Sequence, residues 1–153
     1  MKLFGELVGQ SSGTAIVVGG GPTALEDLLE LKLAGVQPSV VLSANEHGHR
    51  QDLFAITHSV CCDGRHGEKR VSMEVLLRGF GDQPILTPAH FGTYRLAEWS
   101  LAGNTGIAAI AVACFMGCAP VIPVGLAFYR MSSPSPYFHD PNAKSNSMKK
   151  NPR

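Results

Sequence analysis

The stretch TAIVVGGGPTALEDLLELKLAG, Thr14 to Gly35, changes its character halfway. TAIVV is a short run rich in β-branched residues, as expected of a strand. Three glycines and a proline then turn the chain. ALEDLLELKLAG sets apolar residues at helical spacing and stops at Gly35. Strand, glycine turn and helix in that order open a parallel α/β unit.

The rest of the chain repeats the theme. PSVVLSA (38–44) is an apolar run that ends in the polar cluster NEHGHRQD, and DLFAITHSV (52–60) ends in CCDGRHGEKR. SMEVLLRGF (72–80) reads as a short helix and DQPILTP as a short strand. Residues 105–117 read as a helix of small side chains, followed by a strand over 120–126. Strands alternating with helices predict a parallel sheet covered on both faces. After Arg130, MSSPSPYFHDPNAKSNSMKKNPR has no core-building pattern, so residues 1–130 are expected to form the domain and 131–153 a polar loop or tail.

At 153 residues, one hydrophobic core is expected. The 44% hydrophobic content, 7% aromatic content and 17 glycines suit a folded protein built from small and aliphatic side chains. The formal charge of +1 supplies no broad field for nucleic acid or an anionic membrane, so neither is an expected partner and any anion site must be local. Four cysteines without framework spacing, behind an N-terminus that does not read as a secretion signal, predict a reducing, cytoplasmic location.

One segment tests that expectation. Ala102 to Arg130 carries no charge until its last residue and is longer than the roughly 20 apolar residues that span a bilayer. Asn104, Thr105 and Gly106 open it, however, and Pro120 and Pro123 would break a helix running through its second half. It reads better as a buried helix and a buried strand than as an anchor.

Four places carry chemistry. In the turn Gly19, Gly20, Gly21, Pro22 and Thr23, glycines permit close backbone approach and free N–H groups at a helix start favour an anion. The turn matches neither the dinucleotide fingerprint nor a P-loop; a tight turn without ligand is the alternative, against the tendency of ligands to sit at strand carboxyl ends. At Asn104, Thr105 and Gly106 a second capped helix start would make the opposite wall of a cleft, or else an ordinary helix cap. The loops after the second and third apolar runs hold His47, His49, Cys61 and Cys62; His47 is a candidate base, as is His58 in the third run itself. Adjacent cysteines suit two ligands of one metal poorly, so no metal site is expected. Cys114 and Cys118, at i and i+4, read as small core residues. Finally, Tyr129 and Tyr137 offer stacking surfaces and His139 a third base, in a segment that is otherwise read as solvated.

Taken together, VVGGGPTAL, SANEH and GNTGIAAIAVACFMGCAPVIPVGLAFY resemble a set of Rossmann-like proteins. The set comprises 6-hydroxymethylpterin diphosphokinases of the MptE type and, more remotely, bacterial sialyltransferases that use a cytidine-linked sugar donor. Their pattern is a G-x-G-P-S-L turn, an asparagine closing the second strand, and a small-residue helix leading into a strand of the form I-x-L-x-G-x-D-x-Y. The resemblance runs from Thr14 to Tyr129, and YFHDPNAKS (137–145) is similar to a segment of phage and prophage members.

The resemblance implies a Rossmann-like three-layer α/β fold with a mostly parallel sheet of about five strands. It implies a nucleotide or nucleotide-sugar ligand and transferase ancestry, with Gly19, Gly21 and Pro22 under the phosphates or ribose, Asn45 near the base or ribose, and Thr105 and Gly106 opposite. It places Tyr129 and Tyr137 near phosphate, and Mg²⁺ would enter only with a nucleotide di- or triphosphate. The chain departs from the pattern at Gly20, at Thr23, and at Ala127, which replaces the aspartate of the last strand. No lid carrying the sialyltransferase histidine is expected. A non-catalytic module working through protein partners or as a homo-oligomer is therefore the alternative.

Overall fold

The computed structural model describes residues 1–47, 52–62, 65–66, 71–96 and 104–126. In chain order the elements are β1 (Lys2–Leu3), a 3-10 turn (Phe4–Leu7), β2 (Ala15–Val18), α1 (Ala24–Leu33), β3 (Val40–Ala44) and β4 (His58–Val60). They continue with β5 (Arg65–His66), β6 (Val71–Ser72), α2 (Met73–Arg78), β7 (Ile85–Thr87), β8 (Tyr94–Arg95), α3 (Thr105–Met116) and β9 (Val121–Val124).

Seven strands form one sheet in the order β1-β8-β7-β4-β3-β2-β9, with every neighbouring pair parallel. The expected α/β architecture of Rossmann-like kind is present, with seven strands where about five were expected. The extra members, β1 and β8, are two residues each, too short to show a period. β5 and β6 pair antiparallel in a separate hairpin.

Burial explains the pattern of the central strands. All of AIVV in β2 and VVLSA in β3 is buried, because helices cover both faces and no face is left for polar residues. Ala15, Val17, Val40, Leu42, Ala44, Val60 and Leu86 pack under α3, against Ala108, Ala109, Val112, Ala113 and Met116. On the opposite face Ile16, Val18, Val41 and Val124 meet Leu28 of α1. Met73 and Leu77 of α2 cover Cys61 and Ile85. Two buried hydroxyls, Ser43 and Ser59, are bonded to each other at 3.1 Å, and Gln83 donates to Ser59 at 3.1 Å, so the polar groups within the sheet are served.

β9 forms one edge of the sheet and contains Pro123. Ala15 N–H donates to the Pro120 carbonyl and Gly19 N–H to that of Val124, so the even-numbered residues of this segment face β2. Pro123 belongs to the alternate set, and its missing N–H falls on the open edge, where no ladder bond is lost.

The described part of the uncharged segment, residues 104–126, resolves into two elements, as expected. α3 has 12 residues, is capped by the Asn104 side chain, which accepts from Ile107 N–H at 3.1 Å, and stops at Gly117 with φ 99°. Among the described residues no helix is long and apolar enough to cross a membrane.

Candidate functional site

The chain moves outward from β2 through β3, β4, β7 and β8, then α3 crosses back to deliver β9 on the other side of β2. The sheet order therefore reverses between β2 and β9, the position where open α/β sheets leave a crevice at the carboxyl ends of their strands. The glycine turn follows β2, Asn45 follows β3, Cys61 and Cys62 follow β4, and Gly125 and Leu126 follow β9.

These ends converge. A side chain at Gly19 would collide with Leu126, and one at Gly21 with the Gly125 backbone, so both glycines let the exit of β9 pass close over the turn. A side chain at Gly106 would meet Leu126 as well, bringing the start of α3 to the same place. The ring of His47 lies on Gly20, where any Cβ would overlap it. Cys62 N–H donates to Thr105 Oγ1 at 3.3 Å, tying the end of β4 to the start of α3.

The two helix starts differ in what they leave open. At the first, Gly19 N–H is bonded to the Val124 carbonyl at 2.9 Å and Gly21 N–H to that of Gly125 at 2.7 Å, while Pro22 has no N–H. Asp27 Oδ2 accepts the Thr23 hydroxyl at 3.0 Å and Gly125 N–H at 3.3 Å, and Glu26 adds a second carboxylate to this first turn. A protein carboxylate thus already takes the favourable position for negative charge at the start of α1. The first turn of α3 holds no acidic residue.

Asn45 is the one non-glycine among the described residues with positive φ, at 55°. Asparagine tolerates that conformation better than most residues, and here it turns the chain so that Glu46 and His47 return to buried positions. Its N–H is bonded to the Val60 carbonyl at 2.8 Å. Its side-chain Oδ1 is buried and has no hydrogen-bond partner among the described residues.

The structure therefore brings together Gly19, Gly20, Gly21, Pro22, Thr23, Asn45, His47, Asn104, Thr105 and Gly106. It does not bring His58 to them: that residue opens β4 in register with Leu42, short of the strand ends, with Nδ1 2.9 Å from Thr57 Oγ1. Burial holds the His58 pKa below its ordinary 6.5. His49, Ala127, Tyr129, Tyr137 and His139, and the whole of residues 131–153, lie outside the described residues.

Of the cysteines read as core residues, Cys118 is buried and Cys114 is exposed. Burial and the neighbouring Cys114 raise the Cys118 thiol pKa. Among the described residues no three His, Cys, Asp or Glu side chains gather as a metal site requires.

Sequence reasoning passed over Asp27, Gly125 and Leu126. Gly125, with φ 61°, carried a readable signal as a glycine directly after the last strand. Asp27 and Leu126 carried none, since their roles depend on segments far away in the chain.

No family model, curated protein or solved structure matches this chain.

Proposed function

We propose that the chain binds a nucleotide or nucleotide-sugar at the carboxyl ends of β2, β3, β4 and β9, in a cleft of transferase ancestry. The observation that carries this reading is the buried, unpartnered Oδ1 of Asn45, held at the mouth of the sheet by a left-handed backbone. A buried acceptor without a donor costs about 1–3 kcal/mol, and an amino or hydroxyl group of a base or ribose would relieve that cost. The resemblance to the MptE-type and sialyltransferase sets supports the same role for this residue.

The ligand's phosphates are assigned to the start of α3. Its first turn lacks a carboxylate, whereas the start of α1 is served by Asp27 and two of the turn's N–H groups are bonded to the carbonyls of Val124 and Gly125. Of the two described histidines considered as bases, His47 and His58, His47 is packed at the glycine turn. Mg²⁺ would accompany a di- or triphosphate.

The test is thermal unfolding of the full chain with cytidine, uridine and adenosine mono- and diphosphates at about 1 mM, with and without Mg²⁺. Binding at a hundredfold excess over Kd adds about 2.7 kcal/mol and raises Tm by at least several degrees. A panel without any shift refutes the proposal.

A further inference from the structure

The start of α1 holds an anion of its own. Asp27 Oδ2 accepts the Thr23 hydroxyl at 3.0 Å and the Gly125 N–H at 3.3 Å. Donors from two separate segments fix the carboxylate, so its charge does not swing away as that of an exposed side chain does. Both bonds are part-buried, where water and salt screen a charge less than at the open surface. The glycine turn beside it has little left to attract a second anion. Gly19 and Gly21 give their N–H groups to the carbonyls of Val124 and Gly125, and Pro22 has none.

The turn also lies in the ligand's path. β2 and β3 run side by side, with Val18 in register with Ser43, so the turn and Asn45 leave the sheet as neighbours. Gly20 sits under the ring of His47, just past Asn45, while Leu126 lies against both Gly19 and Gly106 at the start of α3. A nucleotide with its base at Asn45 and its phosphates at the start of α3 therefore lays its ribose over Gly19 and Gly20, with the Asp27 carboxylate behind the turn.

We propose that Asp27 is a specificity-determining residue, whose fixed charge restricts the site to nucleotides with an unphosphorylated ribose. The inference rests on the nucleotide reading and narrows the class of ligand. Free ribose hydroxyls are neutral, whereas a 2′- or 3′-phosphate brings about two negative charges toward the carboxylate. Like charges held close in a part-buried site lower affinity by a factor of about ten or more. Asparagine at position 27 keeps an acceptor oxygen for the same two donors, so it removes the charge and spares the hydrogen bonds.

Isothermal titration calorimetry of the full chain at low ionic strength tests this, with cytidine and adenosine 5′-monophosphates and their 2′,5′- and 3′,5′-bisphosphates as probes. The wild-type chain should bind the monophosphates about tenfold more tightly than the bisphosphates, or better. In Asp27→Asn that ratio should fall toward one, and in Asp27→Glu, which keeps the charge, it should persist. Circular dichroism establishes that each variant is folded, and the wild-type ratio decides by itself where one is not. Bisphosphates that bind the wild-type chain as tightly as the monophosphates would overturn the proposal and leave the nucleotide reading standing. A discrimination that folded Asp27→Asn retains would overturn it as well, because another group would then impose it. A wild-type chain that binds none of these compounds would overturn the nucleotide reading and this inference together.

Discussion

The Asp27 carboxylate accepts the backbone N–H of Gly125 at 3.3 Å across 98 residues of sequence, and the same oxygen accepts the Thr23 hydroxyl at 3.0 Å. One side chain at the start of α1 therefore fixes both the end of the glycine turn and the exit of β9. Replacing Asp27 with alanine should lower stability by about 1–3 kcal/mol, the range for a lost charge-assisted pair of bonds. Urea unfolding measures it, and Thr23→Val, which removes one of the two donors, should cost less.

Gly125 and Gly35 both have positive φ, at 61° and 73°, yet their surroundings differ. A Cβ at Gly125 would run into Ala24 and lie 2.9 Å from the Gly19 carbonyl oxygen, while at Gly35 nothing lies within 4 Å. Gly35→Ala should cost only the backbone penalty of about 1–2 kcal/mol. Gly125→Ala should cost clearly more, because it also forces β9 off the turn. Equal losses of Tm for the two variants would contradict this account of the crossing.

How much of this was readable beforehand follows from range. β2, α1, β3, α3 and β9 announced themselves through apolar runs and glycine punctuation, signals contained within each segment. β1 and β8 are too short for any periodicity: β8 exists because Leu86 and Thr87 offer it a partner in register, and β1 because Tyr94 and Arg95 of β8 do the same for Lys2 and Leu3. The convergence of Gly19, Gly106 and Leu126, and the ring of His47 on Gly20, join segments far apart in the sequence. Glycine at those positions was visible, but what each glycine makes room for was not. His58 illustrates the converse. Its residue type suggested a base, yet the register of β4 with β3 sets it short of the strand ends.

Asn45→Gly separates fold from ligand at one position. Glycine accepts the φ of 55° without strain, and the substitution removes the buried Oδ1 that lacks a partner. The free protein should unfold within about 1 kcal/mol of wild type or be more stable, since a desolvated acceptor is gone. Its Tm should respond to nucleotide much less than that of wild type. A large loss of stability without ligand would mean that the amide serves the fold.

His58 makes stability depend on pH. Burial disfavours its charged form, so the folded pKa lies below the ordinary 6.5. Between the two values the unfolded chain binds more protons than the folded one, and stability rises with pH. The contribution is whole above about 6.5 and is lost as the pH falls toward the lowered folded value. Unfolding free energies between pH 7.5 and 5 should decline for wild type, and more shallowly for His58→Gln.

The central claim, a nucleotide held between the two glycine-bearing helix starts, is tested most directly by titrating the isotope-labelled full chain with cytidine and uridine diphosphates and following backbone amide resonances. The account predicts saturable shifts concentrated at Gly20, Asn45, His47, Thr105 and Gly106, with little change at Gly35 or along α2. Resonances that stay in place at millimolar nucleotide, or shifts that gather away from the carboxyl ends of β2, β3, β4 and β9, would contradict it.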